Sequence, residues 1–426
     1  MTPSANRGLS RRAFVRTAVA IGGAPALDAC IERWGAPDAA RPPDGGQSLP
    51  ERQFAWDESV ATDEAGNHLG PRHRVLLYLD YAREGEPTDA DRERTEAALG
   101  SLERAYEWSN DGLLFTVSYS PAYFERFGAD LPESVELPEP EALSSFEDPA
   151  LDRPDAVVHL ASDHGEAVLA AEEALMGDRE SLGDVEMQAS LADAFERVDR
   201  RTGFIGDGLP AENQDVAGIP DSEPVPEDAP LYMGFKSGFR KNQASEDRVA
   251  IESGPFADGT TQQISQIRLR LDDWYGEQDH DERVGEMFCP FHAEEGLVEE
   301  TGEELGDSSR VEECPEDLDA TAREHGRIGH AQKNATVRED GSPIILRRDF
   351  NSTDGDEAGV HFLSLQRSIA DFVKTREAMN GTEQTRNLEI RQRVNNGILE
   401  YTFVKRRGNY LLPPRSRRAL PTPRSG

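Results

Sequence analysis

One order of elements occurs twice in this chain, and that repetition limits the folds open to it more than any composition does. Residues 75–81 (VLLYLDY) read as a buried strand. Thr88, with Asp91 three residues on, opens a helix in which Ala98, Leu99, Leu102, Ala105 and Tyr106 fall on one face. A second strand at 113–119 ends in Ser120-Pro121. A third at 155–161 runs into a helix over about 166–176, with Val168, Leu169, Ala171, Leu175 and Met176 on its apolar side. After a weaker, acidic and Pro-rich stretch the alternation returns. Strands are expected at 260–271, 344–348 and 360–365, then a helix at 368–379 and a closing strand at 398–404.

Strand, helix, strand, strand, helix is the order of a ferredoxin-like α+β sandwich. The predicted fold is therefore α+β, with two ferredoxin-like domains at 71–176 and 231–414. Side by side they form a pseudo-symmetric pair, a dimeric α+β barrel-like arrangement with a cleft wide enough for a large cofactor. Residues 177–230 are expected to be the inter-domain connection, with 191–198 a short helix within it. Residues 31–70, rich in Pro, Gly, Asp and Arg without periodicity, read as a linker. The basic segment 415–426 reads as a solvated end. Tyr106, Trp108, His159, Trp274 and Tyr401 are expected to be core residues.

Asp and Glu outnumber Lys and Arg by 82 to 46, a formal net charge of −36. The surplus is dispersed, which suits a carboxylate-rich surface in concentrated salt, where self-repulsion is screened. The same charge excludes nucleic acid as a partner, because phosphates would be repelled. No apolar run approaches the roughly 20 residues of a membrane span. Ser10-Arg11-Arg12-Ala13-Phe14-Val15 and the small-residue apolar segment 17–27 look like a twin-arginine export signal. Leu27-Asp28-Ala29-Cys30 resembles a lipoprotein cleavage box, which would attach the chain through Cys30 to the outer face of the cell membrane; a plain signal with an incidental Cys is the alternative. Of the other cysteines, Cys289 and Cys314 can close one disulfide. Cys289-Pro-Phe-His292 also has a metal-binding look, but no second CxxC or HxxxH accompanies it.

The candidate chemistry lies between His325 and Gln366, where a histidine-rich turn precedes paired arginines, an acidic loop and a second apolar run. Together with LLFTVSYSPAYFERFG, PDAVVHLASDHGEAVLAAEEAL and RRGNYLLPP, these segments resemble the dye-decolorizing peroxidase family, and the likeness spans most of residues 75–414. Met233-Gly234-Phe235-Lys236-Ser237-Gly238 sits where that family carries GFxDG, which brings in Gly234 and Phe235. His325, with Arg327 two residues on, matches the family's proximal heme histidine; His330 is the alternative in the same turn. ILRRDF matches the strand of the distal arginine, which would be Arg347. GVHFLSLQ places Phe362 near the porphyrin.

The resemblance implies a heme b cofactor held by His325, with hydrogen peroxide and an unidentified reductant as partners. The implied activity is that of an exported peroxidase oxidising an organic or metal-ion substrate. One departure stands out, since Ser237 occupies the place of the distal aspartate. A hydroxyl is a poor base for accepting a proton from peroxide. Either Arg347 with water or a substitute carboxylate, such as Asp349 or Asp258, then serves, or the site holds heme without efficient turnover. Glu246 and Asp247 are close to Ser237 in sequence without a clear place in the pocket. The alternatives are a non-enzymatic heme-binding or iron-handling surface protein, and a fold relative that has lost heme and serves as an acidic binding module.

Overall fold

The computed structural model describes residues 39–423. The export motif at 10–15 and Cys30 lie outside the described residues. The first half is built from β1 (His73–Tyr81), α1 (Asp89–Ala105), β2 (Leu114–Tyr119), β3 (Ala156–Ser162), α2 (Gly165–Leu175) and β4 (Phe195–Phe204). The second half contains β5 (Thr260–Leu269), α3 (His280–Met287), α4 (Leu318–His325), α5 (His330–Ala335), β6 (Leu346–Arg347), β7 (Phe350–Ser352), β8 (Gly359–Gln366), α6 (Ile369–Asn380) and β9 (Thr402–Leu412). α1 begins where its sequence signal stands. The Thr88 hydroxyl accepts from the Asp91 N–H, and the Asp91 carboxylate accepts from the Thr88 N–H in return.

Hydrogen bonding orders the strands β5-β8-β7-β4-β1-β3-β2-β9, and β9 then pairs with β5 to close the ring. The first half contributes β4-β1-β3-β2 and the second β9-β5-β8-β7, so both halves use their strands in the same spatial order. Two seams join them. Asn351 of β7 pairs with Phe204 of β4, and Leu411 of β9 pairs with Tyr119 of β2. The expected pair of α+β units is thus one barrel-like antiparallel sheet with helices outside, rather than two sheets that close separately.

Alternation along the strands assigns the faces. In β1, Leu76 and Tyr78 turn into the barrel with Val157, Ile264, Phe350, Leu363 and Tyr410. Val75, Leu77 and Leu79 turn outward, beneath α1 and α2, onto Leu99, Leu102, Val168 and Ala171. β5 follows the same rule: Ile264 points inward, while Ser265, Ile267 and Leu269 point outward. Outside the first half, packed side chains fill the layer between sheet and helices. Outside the second half, the equivalent layer holds a cavity.

Four expectations change. Residues 195–204 (FERVDRRTGF) are a ten-residue strand paired along β1, where the sequence suggested a connection with a short helix at 191–198. The closing strand starts at Thr402 and continues to Leu412, because Gly397 in a left-handed conformation (φ 58°) leads into a helical turn over Gly397–Glu400. Part of the 31–70 segment belongs to the core: Phe54 and Trp56 are buried, and Gln53 bonds both to Val117 and to the Pro413 carbonyl. The basic end is docked. Arg418 is buried between Glu96 and Glu103 of α1, and Arg415 lies 4.4 Å from the centre of the Trp108 ring. Isolated aromatic or basic residues in Pro-rich sequence have no periodicity to betray burial, which explains the last two differences.

Candidate active site

The cavity encloses about 490 Å³ between the outer face of the second-half sheet and the helices over it. β5 lends Ser265, Ile267 and Leu269, β8 lends Val360 and Phe362, and β9 lends Phe403 and Val404. Phe288, His330 and Met379 close it from the helical side. The walls are mainly aromatic and aliphatic, with a few convergent polar groups, as in a ligand site.

His330 opens α5, and close packing fixes where that helix starts. A Cβ on Gly329 would stand 1.8 Å from the Phe288 carbonyl oxygen, so only glycine lets the helix begin there. The Gln332 N–H donates to the same oxygen. One turn on, Lys333 is fully buried, and its ammonium donates to the Met379 carbonyl, the Asn396 carbonyl and Asn396 Oδ1. Three donors meet three acceptors, tying α5 to the end of α6 and to the loop before β9. The His330 ring itself has no hydrogen-bond or ion-pair partner among the described residues. Burial, with Lys333, Arg347 and Arg376 nearby, pushes its pKa down to about 3. It is therefore a neutral imidazole at any ordinary pH, with a lone pair free for a metal ion.

The paired arginines diverge as neighbours on an extended chain must. Arg348 stacks 4.2 Å from the Trp56 ring centre, bonds the Phe54 carbonyl and pairs with Glu246 at 3.1 Å. Arg347 lines the cavity. Its backbone is clamped by the side-chain amide of Gln243, which accepts from the Arg347 N–H and donates to its carbonyl. The buried Arg347 Nε has no partner, and Nη1 lies 3.9 Å from Asp349 Oδ2. Asp349 also lines the cavity, with Oδ1 accepting from the Leu363 N–H. Burial pushes its pKa up to about 6, against the opposing charge of Arg347. Ser237 reaches the same cavity.

The structure thus brings together Arg347, Ser237, Phe235 and Phe362, with Phe362 packed 6.1 Å from Phe372. Gly234 is not part of the lining. Its φ is +83°, and a Cβ there would meet the Tyr275 hydroxyl at 2.7 Å, so it serves the turn. His325 does not line the cavity either, which corrects the expectation that it faces a cofactor. It ends α4, with Nδ1 3.0 Å from Glu294, and Arg327 turns to Glu282 at 3.6 Å. The spacing that favoured His325 thus describes a histidine–carboxylate contact and an arginine ion pair, both away from the cavity. Asp258 is paired with Arg52 at 2.9 Å and Glu246 caps the backbone of Trp56 and Asp57, so neither belongs to the site. Asp349 was foreseen among several carboxylates; His330 was the less favoured histidine. Gly329-His330 with Gln332 at the third helical position marks a helix start, but that local signal does not say which histidine faces the cavity.

Cys289 and Cys314 form a disulfide, and His292 Nδ1 lies 3.0 Å from Cys289 Sγ while Nε2 bonds the Ser309 carbonyl. The paired sulfurs offer no thiolate, which removes the metal reading of Cys289-Pro-Phe-His292 for this form. The crosslink lies behind the cavity wall, where Phe288, Ser309 and Val311 stand.

The fold is similar to that of solved DyP-type peroxidases. The structure of one from Cellulomonas bogoriensis matches with a TM-score of 0.54 and 17% identity, over 81% of this chain and 90% of that one. A DypB variant from Rhodococcus jostii RHA1 in complex with heme matches at 0.54 and 14%, over 87% and 99%. An oxyferrous complex of DtpA from Streptomyces lividans matches at 0.55 and 18%, over 85% and 96%. At these identities the likeness shows a common fold. The chain itself belongs to a family of unknown function, DUF7405, whose model matches residues 71–414. No curated protein matches it.

Proposed function

We propose that this protein is a heme-dependent peroxidase in which His330, rather than His325, would hold the heme iron. One observation carries the reading: a half-buried imidazole, neutral and without a hydrogen-bond or ion-pair partner among the described residues, shares a cavity with an arginine whose buried Nε is also unpartnered. Those two groups, aromatic walls and a volume of about 490 Å³ fit a porphyrin with iron, and heme b is the form proposed. Bound there, heme would supply an iron centre that activates hydrogen peroxide and then draws electrons from a reductant.

The chain's own residues would do the rest. His330 presents a nitrogen lone pair, and the fully bonded Lys333 ammonium keeps its helix in place. Arg347, held by Gln243, stabilises negative charge as the peroxide O–O bond breaks. Asp349 Oδ2 accepts the peroxide proton and returns it to the leaving oxygen; a carboxyl with a pKa of about 6 suits both tasks. Ser237 holds a water or the peroxide by hydrogen bonding. Asp349 thus takes the base role that serine cannot fill. Export by the twin-arginine route, with attachment through Cys30, belongs to the same proposal and is supported by the sequence of residues 10–30.

The test is a hemin titration of apo-protein purified in high salt. A Soret band is expected in the wild type and in His325→Ala, and its position and intensity should change in His330→Ala. Peroxide-driven oxidation of a dye should follow the loaded wild type. An absent Soret band, or a His330→Ala spectrum identical to wild type, would reject the assignment. Replacement of the usual distal acid by Ser237 favours a second reading, a heme-binding or iron-handling surface protein without turnover. Heme binding with no dye oxidation would select it.

A further inference from the structure

The cavity carries the opposite charge to the rest of the chain. Asp and Glu dominate the sequence by 82 to 46. Among the described residues that line the cavity, only Glu147, Asp148 and Asp349 are acidic, and Lys and Arg outnumber them. Glu147 is occupied by Arg407 at 2.6 Å and Arg376 at 3.2 Å, and Asp148 is exposed to water.

The uncompensated part of this charge lies where β5 and β9 meet. Arg393 sits 3.9 Å and Arg268 5.0 Å from the centre of the Phe403 ring. The Arg393 guanidinium donates to the carbonyls of Leu399, Glu400 and Thr402, which orient it without cancelling its charge. Among the described residues no carboxylate lies within ion-pair distance of it. Arg268 reaches Glu357 only at 3.8 Å, and its Nε is buried without a partner. Lys405 is the extra residue where β9 bulges opposite Gln266 and Ile267; it is exposed and has no ion pair among the described residues. Bulges re-aim side chains, and this one places a cation on the cavity lining. Phe146, 5.7 Å from Arg393, adds a second ring on the same side.

A protein with carboxylates to spare has left Arg393 and Lys405 without an ion pair among the described residues, and Arg268 with only a long one, beside two aromatic rings. We propose that Arg268, Arg393 and Lys405 form a clamp for the carboxylate of an aromatic ligand, with Phe403 and Phe146 contacting its rings. The carboxylate has two sources. It belongs either to the propionates of a porphyrin or to an aromatic acid serving as reductant at the cavity edge, and both sources rest on the heme reading. Guanidinium and ammonium groups recognise such an anion through charge-assisted hydrogen bonds.

The experiment uses metal-free protoporphyrin IX and its dimethyl ester, whose carboxylates are masked, with binding followed by porphyrin fluorescence at moderate ionic strength. The variant is Arg268→Gln with Lys405→Gln; Arg393 is left intact because it supports backbone carbonyls. The variant should bind the free acid at least about tenfold more weakly and the ester as wild type does. Porphyrin binding unchanged, together with a raised KM for a hydroxybenzoate but not for a neutral phenol, assigns the clamp to the reductant. Equal losses for acid and ester, or no change in porphyrin binding and KM alike, would overturn the clamp. Because no iron is present, failure of His330 ligation leaves this measurement intact. Porphyrin binding that needs its carboxylates but yields no His330-dependent iron spectrum removes the His330 assignment and retains the clamp.

Discussion

Asp349→Asn isolates the group on which the proposed proton transfer depends, and its effect can be worked out before any cofactor is added. Burial raises the Asp349 pKa from 3.8 to about 6. A carboxyl whose folded value stands above its unfolded one binds its proton more tightly in the folded state. Stability is therefore fully present below the unfolded value and falls as the pH rises through about 6. At 1.36 kcal/mol per unit, an ionised Asp349 costs the fold about 3 kcal/mol at alkaline pH and about 0.5 kcal/mol near pH 4. Asparagine keeps the oxygen that accepts from the Leu363 N–H and carries no charge. The stability difference between Asp349→Asn and wild type should thus shift in the variant's favour by about 2 kcal/mol between about pH 4 and about pH 8. Urea unfolding of heme-free protein, followed by tryptophan fluorescence at one fixed high salt concentration, measures it. A difference that stays within about 0.5 kcal/mol across that range would show that Asp349 is not a buried, proton-retaining carboxyl, and the proposed base would go with it. In the heme-loaded protein the same titration should appear as a peroxide reaction rate that rises with pH through about 6.

Two further predictions concern the walls of the cavity. Asp349→Asn should slow the reaction with peroxide by about 10²-fold in stopped-flow measurements, and Ser237→Asp in that background should recover most of the loss by returning a carboxylate to the cavity; no recovery would mean that position 237 does not reach the peroxide. Replacing Cys289 and Cys314 by serine should lower the unfolding free energy by about 2–4 kcal/mol and speed the release of any bound porphyrin, because the crosslink braces the wall that carries Phe288, Ser309 and Val311. Unaltered release rates would confine the disulfide to a purely global role.

What could be read from the sequence depended on whether a segment's environment is local. β1 was legible because VLLYLDY is apolar on both faces, as a strand between barrel interior and helix layer must be. β4 was not, because FERVDRRTGF carries charges that only the folded chain satisfies: Arg197 and Arg200 meet Glu172 of α2, and Arg201 meets Asp152. Arg347 was picked by the resemblance of ILRRDF to a known strand; alternation sends the two arginines to opposite sides, but only the fold shows which side holds the cavity. The choice between His325 and His330 could not be made from spacing. What separates them is a glycine packed on a distant carbonyl and a lysine bonded to a loop more than sixty residues away.

β9 has a consequence for how the chain is made. It is the last strand in sequence, yet it pairs with β5, meets β2 of the first half, and supplies Phe403 and Val404 to the cavity. As synthesis proceeds, β5 and β2 wait with open edges until residues 402–412 arrive. The first half packs a core largely of its own, but its β2 edge and the β5 edge of the second half are both covered by β9. The barrel closes in one late event, and the pocket around His330 does not exist before it. The cavity walled by Phe403 and Val404 is complete only in a chain that extends through Leu412.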